Sequence, residues 1–593
     1  MVHYPTPIRI IPFLLLWITA ACGSETGNPS ESGAPGGNEP GSNTSHYDNG
    51  GGGSSTQTTA FNQDAGSTAG SAGNDAGVGS WNAGAPSDND EELGIGLKAG
   101  GAQDIGYFRK LVASGLVPHW DDMTIEGWLN EHDTELPAAE PDRLVTLHAM
   151  LGLHRPPGES KADCVLQLGM NSAVSLNELS KKPLNLAVVV DTSGSMNDAG
   201  KMEFVKLGLK RLLDELSEAD RFALVKFDTD ATVVFPSAHL TLAKKQELLS
   251  AINNLTPDGW TNLYDGLLAG YKEVEKSQAA GQIPRVMLVS DGLPTAGIED
   301  AGLIVNMSKK FNAKGIGLTT IGLGVTSDQK LMASLAQTAG GNYYFLQDES
   351  KVQDVFVEEL AYLLTPVASN LQIQFKLTNG FELRELYGFE WAQDEAGMIH
   401  ILGPKTNDTD VAPEVPPEDP NDPQPPEDPK NTEGVAIPTL FASKKPGLLM
   451  MRLDGPAEYE TLSQLTDAIA EFGYAYDTED DQGNLVSHQF TTTVTPPLTA
   501  LEDLDGSLFY FQNPIVRRGF TILQLGLALQ NSTALFHGTD IVPQDGSEAA
   551  KTLQDAVDFG HYQINTFFPN DESLAADVAF LEELLLLIQS AAE

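Results

Sequence analysis

Leu184-Asn-Leu-Ala-Val-Val-Val190 runs directly into Asp191-Thr-Ser-Gly-Ser-Met196, and the meaning of that junction decides the fold. A continuous apolar run of this length reads as a strand buried on both faces, as in a parallel sheet. Open sheets of that kind place their sites beyond the carboxyl ends of the strands. Asp191, Ser193 and Ser195 present three side-chain oxygens from one tight loop, with Gly194 supplying the turn. Oxygen donors on a loop suit a hard cation such as Mg²⁺ or Ca²⁺. Alone the pattern is weak, since roughly one chain in ten of this size carries an Asp-x-Ser-x-Ser by chance.

Working outward, residues 183–365 alternate strand and helix. The strands are expected at Leu184–Val190, Arg221–Phe227 with Thr232–Phe235, Val286–Ser290, Thr319–Val325 and Tyr343–Leu346. Helices are expected at about 201–216, 242–255, 262–278, 299–313, 328–338 and 350–364. Such alternation specifies βαβ units, a doubly wound, mainly parallel sheet and helices on both faces. Phe227-Asp-Thr-Asp230 reads as an edge hairpin.

The flanks have a different period. Leu144–Leu153 and Ala162–Leu168 alternate apolar residues around the turn-prone Pro156-Pro-Gly158. Similar strands return only after residue 366, at Asn370–Leu377, Ile399–Leu402 and Gly447–Leu453. The α/β unit at 183–365 is therefore expected as an insertion in a β-sandwich-like domain made of 140–182 and 366–510. Within the latter, Ala412–Lys430 holds eight Pro among many acids and reads as a solvated loop. A helical segment is expected at 98–138, where Glu131, His132 and Asp133 read as a solvated turn. A C-terminal helical region is expected at 511–593, with helices at Ile515–Leu535, Ala549–Asn565 and Ser573–Ser590. Leu581, Leu584, Leu585 and Ile588 would form the buried stripe of the last.

A chain of 593 residues with 41% hydrophobic content can hold three or four packed units. The formal charge of −47 repels phosphate backbones and anionic lipid, which sets nucleic-acid binding aside. Residues 1–21 read as a signal peptide, with Arg9 ahead of an apolar stretch Ile10–Ile18 too short to span a membrane. Thr19-Ala20-Ala21-Cys22 resembles a bacterial lipoprotein signal in which Cys22 is lipidated, although Thr19 stands where an aliphatic residue is usual. Gly23 after it favours outer-membrane sorting in a Gram-negative cell. Residues 22–97 are Gly, Ser, Asn and Ala with no Lys or Arg from Gly23 to Leu97, a composition that reads as a disordered tether. Its root-mean-square span would be roughly 50 Å. The expected location is the cell envelope, anchored to a membrane through Cys22.

Two further stretches meet the opening motif. Asp258-Gly-Trp-Thr-Asn262 places Thr261 on a loop before the third α/β helix, and Val289-Ser-Asp-Gly292 places Asp291 at the end of another core strand. With Asp191 these lie on one rim of the sheet. At this point the chain resembles the von Willebrand factor type A (vWA) family, whose metal-ion-dependent adhesion site has Asp-x-Ser-x-Ser, then Thr, then Asp on three loops. Asp191, Ser193, Ser195, Thr261 and Asp291 fill the five positions. The resemblance implies Mg²⁺, or Ca²⁺ or Mn²⁺, held partly through water at Asp191 and Asp291 and directly by hydroxyls. It also implies a protein partner that offers a carboxylate to the ion. Gly106–Pro118 is similar to the N-terminal segment of the YfbK-like group of vWA lipoproteins.

The expected function is thus a non-enzymatic adhesion or scaffolding module. An alternative is an envelope-assembly factor in which the ion only stabilises loops. A hydrolase is a further alternative, but no His-Glu-x-x-His, Gly-x-Ser-x-Gly or phosphate-binding Gly-Lys-Ser/Thr pattern occurs. Cys164 falls inside an expected strand and reads as a small buried hydrophobe.

Overall fold

Residues 93–95, expected to close the tether, are a strand. β1 (Leu93–Ile95) pairs antiparallel with Met170–Ser172 on one side and Ala442–Ser443 on the other. Three residues of backbone thereby satisfy two otherwise open strand edges, a benefit invisible in the composition of the segment. The computed structural model describes residues 93–95 and 105–592, except 133, 156–162, 175–181, 292, 325–328, 339–342, 347–355, 357–365, 405–434, 444–447, 456–466, 481–483, 496–501, 505–506 and 540–543. The signal peptide, Cys22, the acidic Pro-rich loop and, Phe356 apart, the helix expected at 350–364 lie outside the described residues.

Helices α1 (Gly106–Ala113) and α2 (Ile125–Asn130) precede the hairpin strands β2 (Thr146–Arg155) and β3 (Asp163–Ser172). Alternation in these strands feeds two cores. Leu147, Leu151, Leu153, Cys164, Leu166, Leu168 and Met170 face the β-sandwich, whereas Met150 and Val165 face the helices. Cys164 is fully buried.

The inserted unit follows, with β4 (Leu184–Asp191), α3 (Lys201–Glu215), β5 (Arg221–Phe227), β6 (Ala231–His239), α4 (Leu242–Asn253), α5 (Leu263–Glu275), β7 (Ile283–Ser290), α6 (Ala301–Asn312), β8 (Gly317–Leu323), α7 (Gln329–Thr338) and β9 (Tyr343–Leu346). The strand order is β6-β5-β4-β7-β8-β9, parallel throughout except for the antiparallel edge strand β6. Central β4 is buried at every position. Its even residues Leu184, Leu186, Val188 and Val190 pack with α3 and α4, and its odd residues Ala187 and Val189 pack with α5, α6 and α7. That double cover is why the run reads as unbroken apolar rather than alternating.

The frame resumes as β10 (Pro366–Leu377), β11 (Glu382–Leu386), β12 (Phe389–Gln393), β13 (Met398–Pro404), β14 (Val435–Ser443), β15 (Leu449–Asp454), β16 (Ala470–Glu479), β17 (Leu485–Val494), β18 (Glu502–Leu504) and β19 (Ser507–Phe511). With β1, β2 and β3 these make one branched 13-stranded sheet whose lobes enclose a common core. Helices α8 (Pro514–His537), α9 (Gly546–Phe567) and α10 (Glu572–Ala592) close the chain. Leu581, Leu584, Leu585 and Ile588 are buried, and the three helices share a core with α1, α2 and the outer face of β2, β3 and β15.

One expectation is corrected here. Glu131 and His132 are not a solvated turn; they lie in a buried polar network between α1, α2 and α10. Arg109 donates from Nη2 to Glu131 Oε2 at 2.9 Å and to Asp577 Oδ1 at 3.1 Å, while His132 Nε2 lies 3.5 Å from Asp577 Oδ2. Two carboxyls thus face one guanidinium. Burial pushes the Asp577 carboxyl up to about 7 against the pull of Arg109. The unfolded chain loses this proton in the ordinary carboxylate range and the folded chain holds it to about 7. Its contribution to stability is therefore full at acid pH and is lost as pH rises through that window. Asp577→Asn should match wild type in thermal denaturation near pH 4 and become the more stable of the two, by a few kcal/mol, above pH 7; parallel melting curves across this range would exclude the assignment.

Candidate metal centre

Parallel register builds the site. Pairing of Val190 with Val289 brings the ends of β4 and β7 level, so Asp191 stands beside Ser290 and Asp291 follows immediately. Asp191, Ser290 and Asp291 are all fully buried. Asp191 Oδ2 accepts the Ser290 hydroxyl at 2.6 Å, and Oδ1 accepts the Ser193 backbone N–H at 2.8 Å. Across the cleft, Ser195 Oγ lies 3.1 Å from Ser193 Oγ and donates to Asp291 Oδ1 at 2.7 Å. Lys201, the first residue of α3, donates from Nζ to Asp291 Oδ2 at 2.5 Å.

Backbone bonds bring in the third loop. Gly194 N–H donates to Gly259 C=O at 3.2 Å, and Asp258 N–H donates to Thr192 C=O at 2.7 Å. These bonds bring the segment carrying Thr261, itself buried, up to the Asp191 loop. Gly259 has φ +73, and a Cβ there would stand 2.7 Å from Thr229 Oγ1, so a side chain at this point would push the loop out. Thr192 locks the first loop to β5, donating from N–H to Phe227 C=O at 2.7 Å. Asn262 caps α5 through Oδ1, which accepts from Asp265 N–H at 3.3 Å. Thr261 N–H donates to Thr295 Oγ1 at 3.0 Å, tying this loop to the segment after Asp291.

The five residues singled out in the sequence therefore fall on three loops at one edge of the sheet. Four of them, Asp191, Ser193, Ser195 and Asp291, form one hydrogen-bonded cluster. Sequence reasoning missed two partners. Ser290 was readable as the residue preceding Asp291 in β7, but its pairing partner depends on register. Lys201 is the single cation between residues 183 and 205, and that isolation was the available signal.

The electrostatics suit a hard cation. Burial pushes the Asp191 carboxyl up to about 6, and the nearby Asp291 carboxylate adds to the rise, whereas the hydrogen bonds from Ser290 and Ser193 oppose it. Among the described residues no group of three or more His, Cys, Asp or Glu is arranged so that it could hold a metal ion by those side chains alone. The donor set at the rim is two carboxylates and neutral hydroxyls, which fits Mg²⁺ or Ca²⁺ better than a thiolate- or imidazole-seeking metal.

Residues 185–358 match the profile of the von Willebrand factor type A domain. The Escherichia coli protein YfbK is 32% identical over 212 residues, which is 35% of this chain and 36% of that protein. Human inter-alpha-trypsin inhibitor heavy chain H4 is 28% identical over 202 residues, 32% of this chain and 21% of that protein. The chain thus spans little more than a third of the first and about a fifth of the second. A solved structure described as a von Willebrand factor type A protein from Catenulispora acidiphila superposes with a TM-score of 0.45 at 14% identity, covering 77% of this chain and 98% of that one. The chain carries a von Willebrand factor type A domain at residues 185–358.

Proposed function

We propose that this chain is a cell-envelope lipoprotein that binds a protein partner through a divalent cation held at Asp191, Ser193, Ser195, Thr261 and Asp291. The observation that carries the reading is the convergence of oxygen donors from three loops, only two of them carboxylates, on one rim. A bound divalent ion there would supply Lewis acidity toward an anionic ligand. The protein's own part is to hold few charges close, so that Asp191 and Asp291 at most balance the ion and leave it attractive to a partner's carboxylate.

The surroundings support docking of a protein. Trp260, next to Thr261, is 65% exposed, and Leu293, two residues after Asp291, is 55% exposed. Exposed aromatic and aliphatic side chains beside a charged anchor are what interface cores are made of. An enzymatic reading gains no such support, since Cys164 is fully buried among Leu151, Leu166 and Leu453 in the sandwich core. The anchoring part of the proposal rests on the sequence around Cys22 and on the tether that follows it.

Three outcomes are expected. Calorimetric titration of Mg²⁺ into the full chain gives one site that vanishes in Asp191→Ala and weakens about tenfold in Ser290→Ala, which loses the hydrogen bond orienting Asp191; an Asp191→Ala isotherm equal to wild type would sink the assignment. Trp260→Ala keeps the Mg²⁺ isotherm but loses chelator-sensitive partner capture from envelope extracts, and capture indifferent to chelator would favour an ion that only ties the loops. Palmitate labelling of the expressed protein disappears in Cys22→Ser; labelling that persists would rule out the anchor.

A further inference from the structure

Asp191 and Asp291 are both buried, yet their neighbours differ in kind. Asp191 accepts from neutral groups, the Ser193 N–H and the Ser290 hydroxyl. Asp291 faces the Lys201 ammonium at 2.5 Å. That ammonium is held in place rather than waving in solvent: the Lys201 side chain is 12% exposed. Its stem also passes close to Gly324, where a Cβ would stand 3.0 Å from Lys201 Cε. Gly324, at φ +72, leaves the room this stem occupies.

Charge counting gives this contact a role. The other close pair at the rim, Lys226 with Asp228 at 3.0 Å, is self-neutralising, and Asp198, Asp258 and Asp265 are exposed and screened by water. The buried charges are then two negative and one positive, a net of −1 by that count. A divalent ion turns this into +1, and a carboxylate arriving from outside brings it to zero. Without the lysine the loaded site would already be neutral, and the same carboxylate would leave an uncompensated negative charge in a poorly solvated place.

We propose that Lys201 is the specificity-determining counter-charge of this site: it weakens the hold on the divalent ion and keeps the loaded rim net positive, so that an anionic ligand is preferred. This rests on the reading of the rim as a cation site. It assigns Lys201 a function that a residue merely positioning Asp291 would not have, because the two roles shift cation affinity in opposite directions.

The test is calorimetric titration of Mg²⁺ alone into full-length wild type, Lys201→Met, Lys201→Gln and Lys201→Arg. Relaxation of acetate protons by Mn²⁺ bound to the same proteins reports carboxylate access to the ion. Removal of a unit charge a few ångströms from the ion should tighten Mg²⁺ binding at least about tenfold in the Met and Gln variants. Acetate relaxation should fall in both, and the Arg variant should behave as wild type. Gln keeps a hydrogen-bond donor toward Asp291 without the charge, and it carries the test alone if the Met variant does not fold. Weaker Mg²⁺ binding in the Gln variant overturns the proposal and makes Lys201 a positioning residue, and equal binding overturns it without assigning that role. Wild type that binds Mg²⁺, loses it in Asp191→Ala and is unmoved by Lys201→Gln would defeat this inference while leaving the cation site standing. Wild type that binds no Mg²⁺ would defeat both.

Discussion

Two carboxylates buried within reach of one another need a cation between or beside them or a proton on one of them, because neither water nor a hydroxyl can neutralise the second charge. The parallel register of β4 and β7 imposes that condition at the rim of the α/β domain. Level strand ends deliver Asp191 and Asp291 to one edge whether or not a counter-charge is there. Lys201 answers for half of it and hydroxyls fill the remaining hydrogen bonds. The rest of the demand is what a divalent ion would meet.

The same condition arises a second time, in the packing of α1 and α2 against α10, and there the chain meets it internally. Glu131 and Asp577 converge on Arg109, and the guanidinium also lies over the rings of Phe580 and Trp128, at 4.7 and 5.4 Å. Burial pushes the Asp577 carboxyl up, the neighbouring Glu131 charge adds to the rise, and the one guanidinium does not offset both, so Asp577 keeps its proton to about 7. Arginine closes that site with a planar fork surrounded by aromatic side chains. Lysine at the rim, a point charge on a flexible stem, leaves its site open. The contrast separates a structural knot from a site able to take a ligand.

Much of this was legible in residue order. The strand-helix alternation of 183–365 and the double-sided burial of β4 follow from apolar period alone, and the five oxygen-bearing residues could be picked out before any coordinates. What stayed hidden depends on tertiary pairing. β1 carries no local strand signal and exists because two edges need it. β17 is largely exposed and polar, so it lacks the apolar alternation by which strands are recognised; its ten residue pairs with β16 decide it. His132 looked solvated because its partner, Asp577, lies more than four hundred residues away, and Glu131 because it meets Arg109 only once α1 packs beside α2. Ser290 and Lys201 joined the rim through register and through the exit angle of a helix, neither of which a motif encodes.

The place of β4 in the chain has a mechanical consequence. Asp191 lies at one end of this strand, and at the other end Pro183 C=O accepts the N–H of Ile283 where the frame hands over to the inserted domain. A tug on the rim is therefore transmitted along one eight-residue strand. On either side β4 is paired in parallel with β5 and β7. β4 is thus both a central strand of the sheet and the shortest covalent route from rim to frame, so force applied at the rim would reach the frame through its backbone.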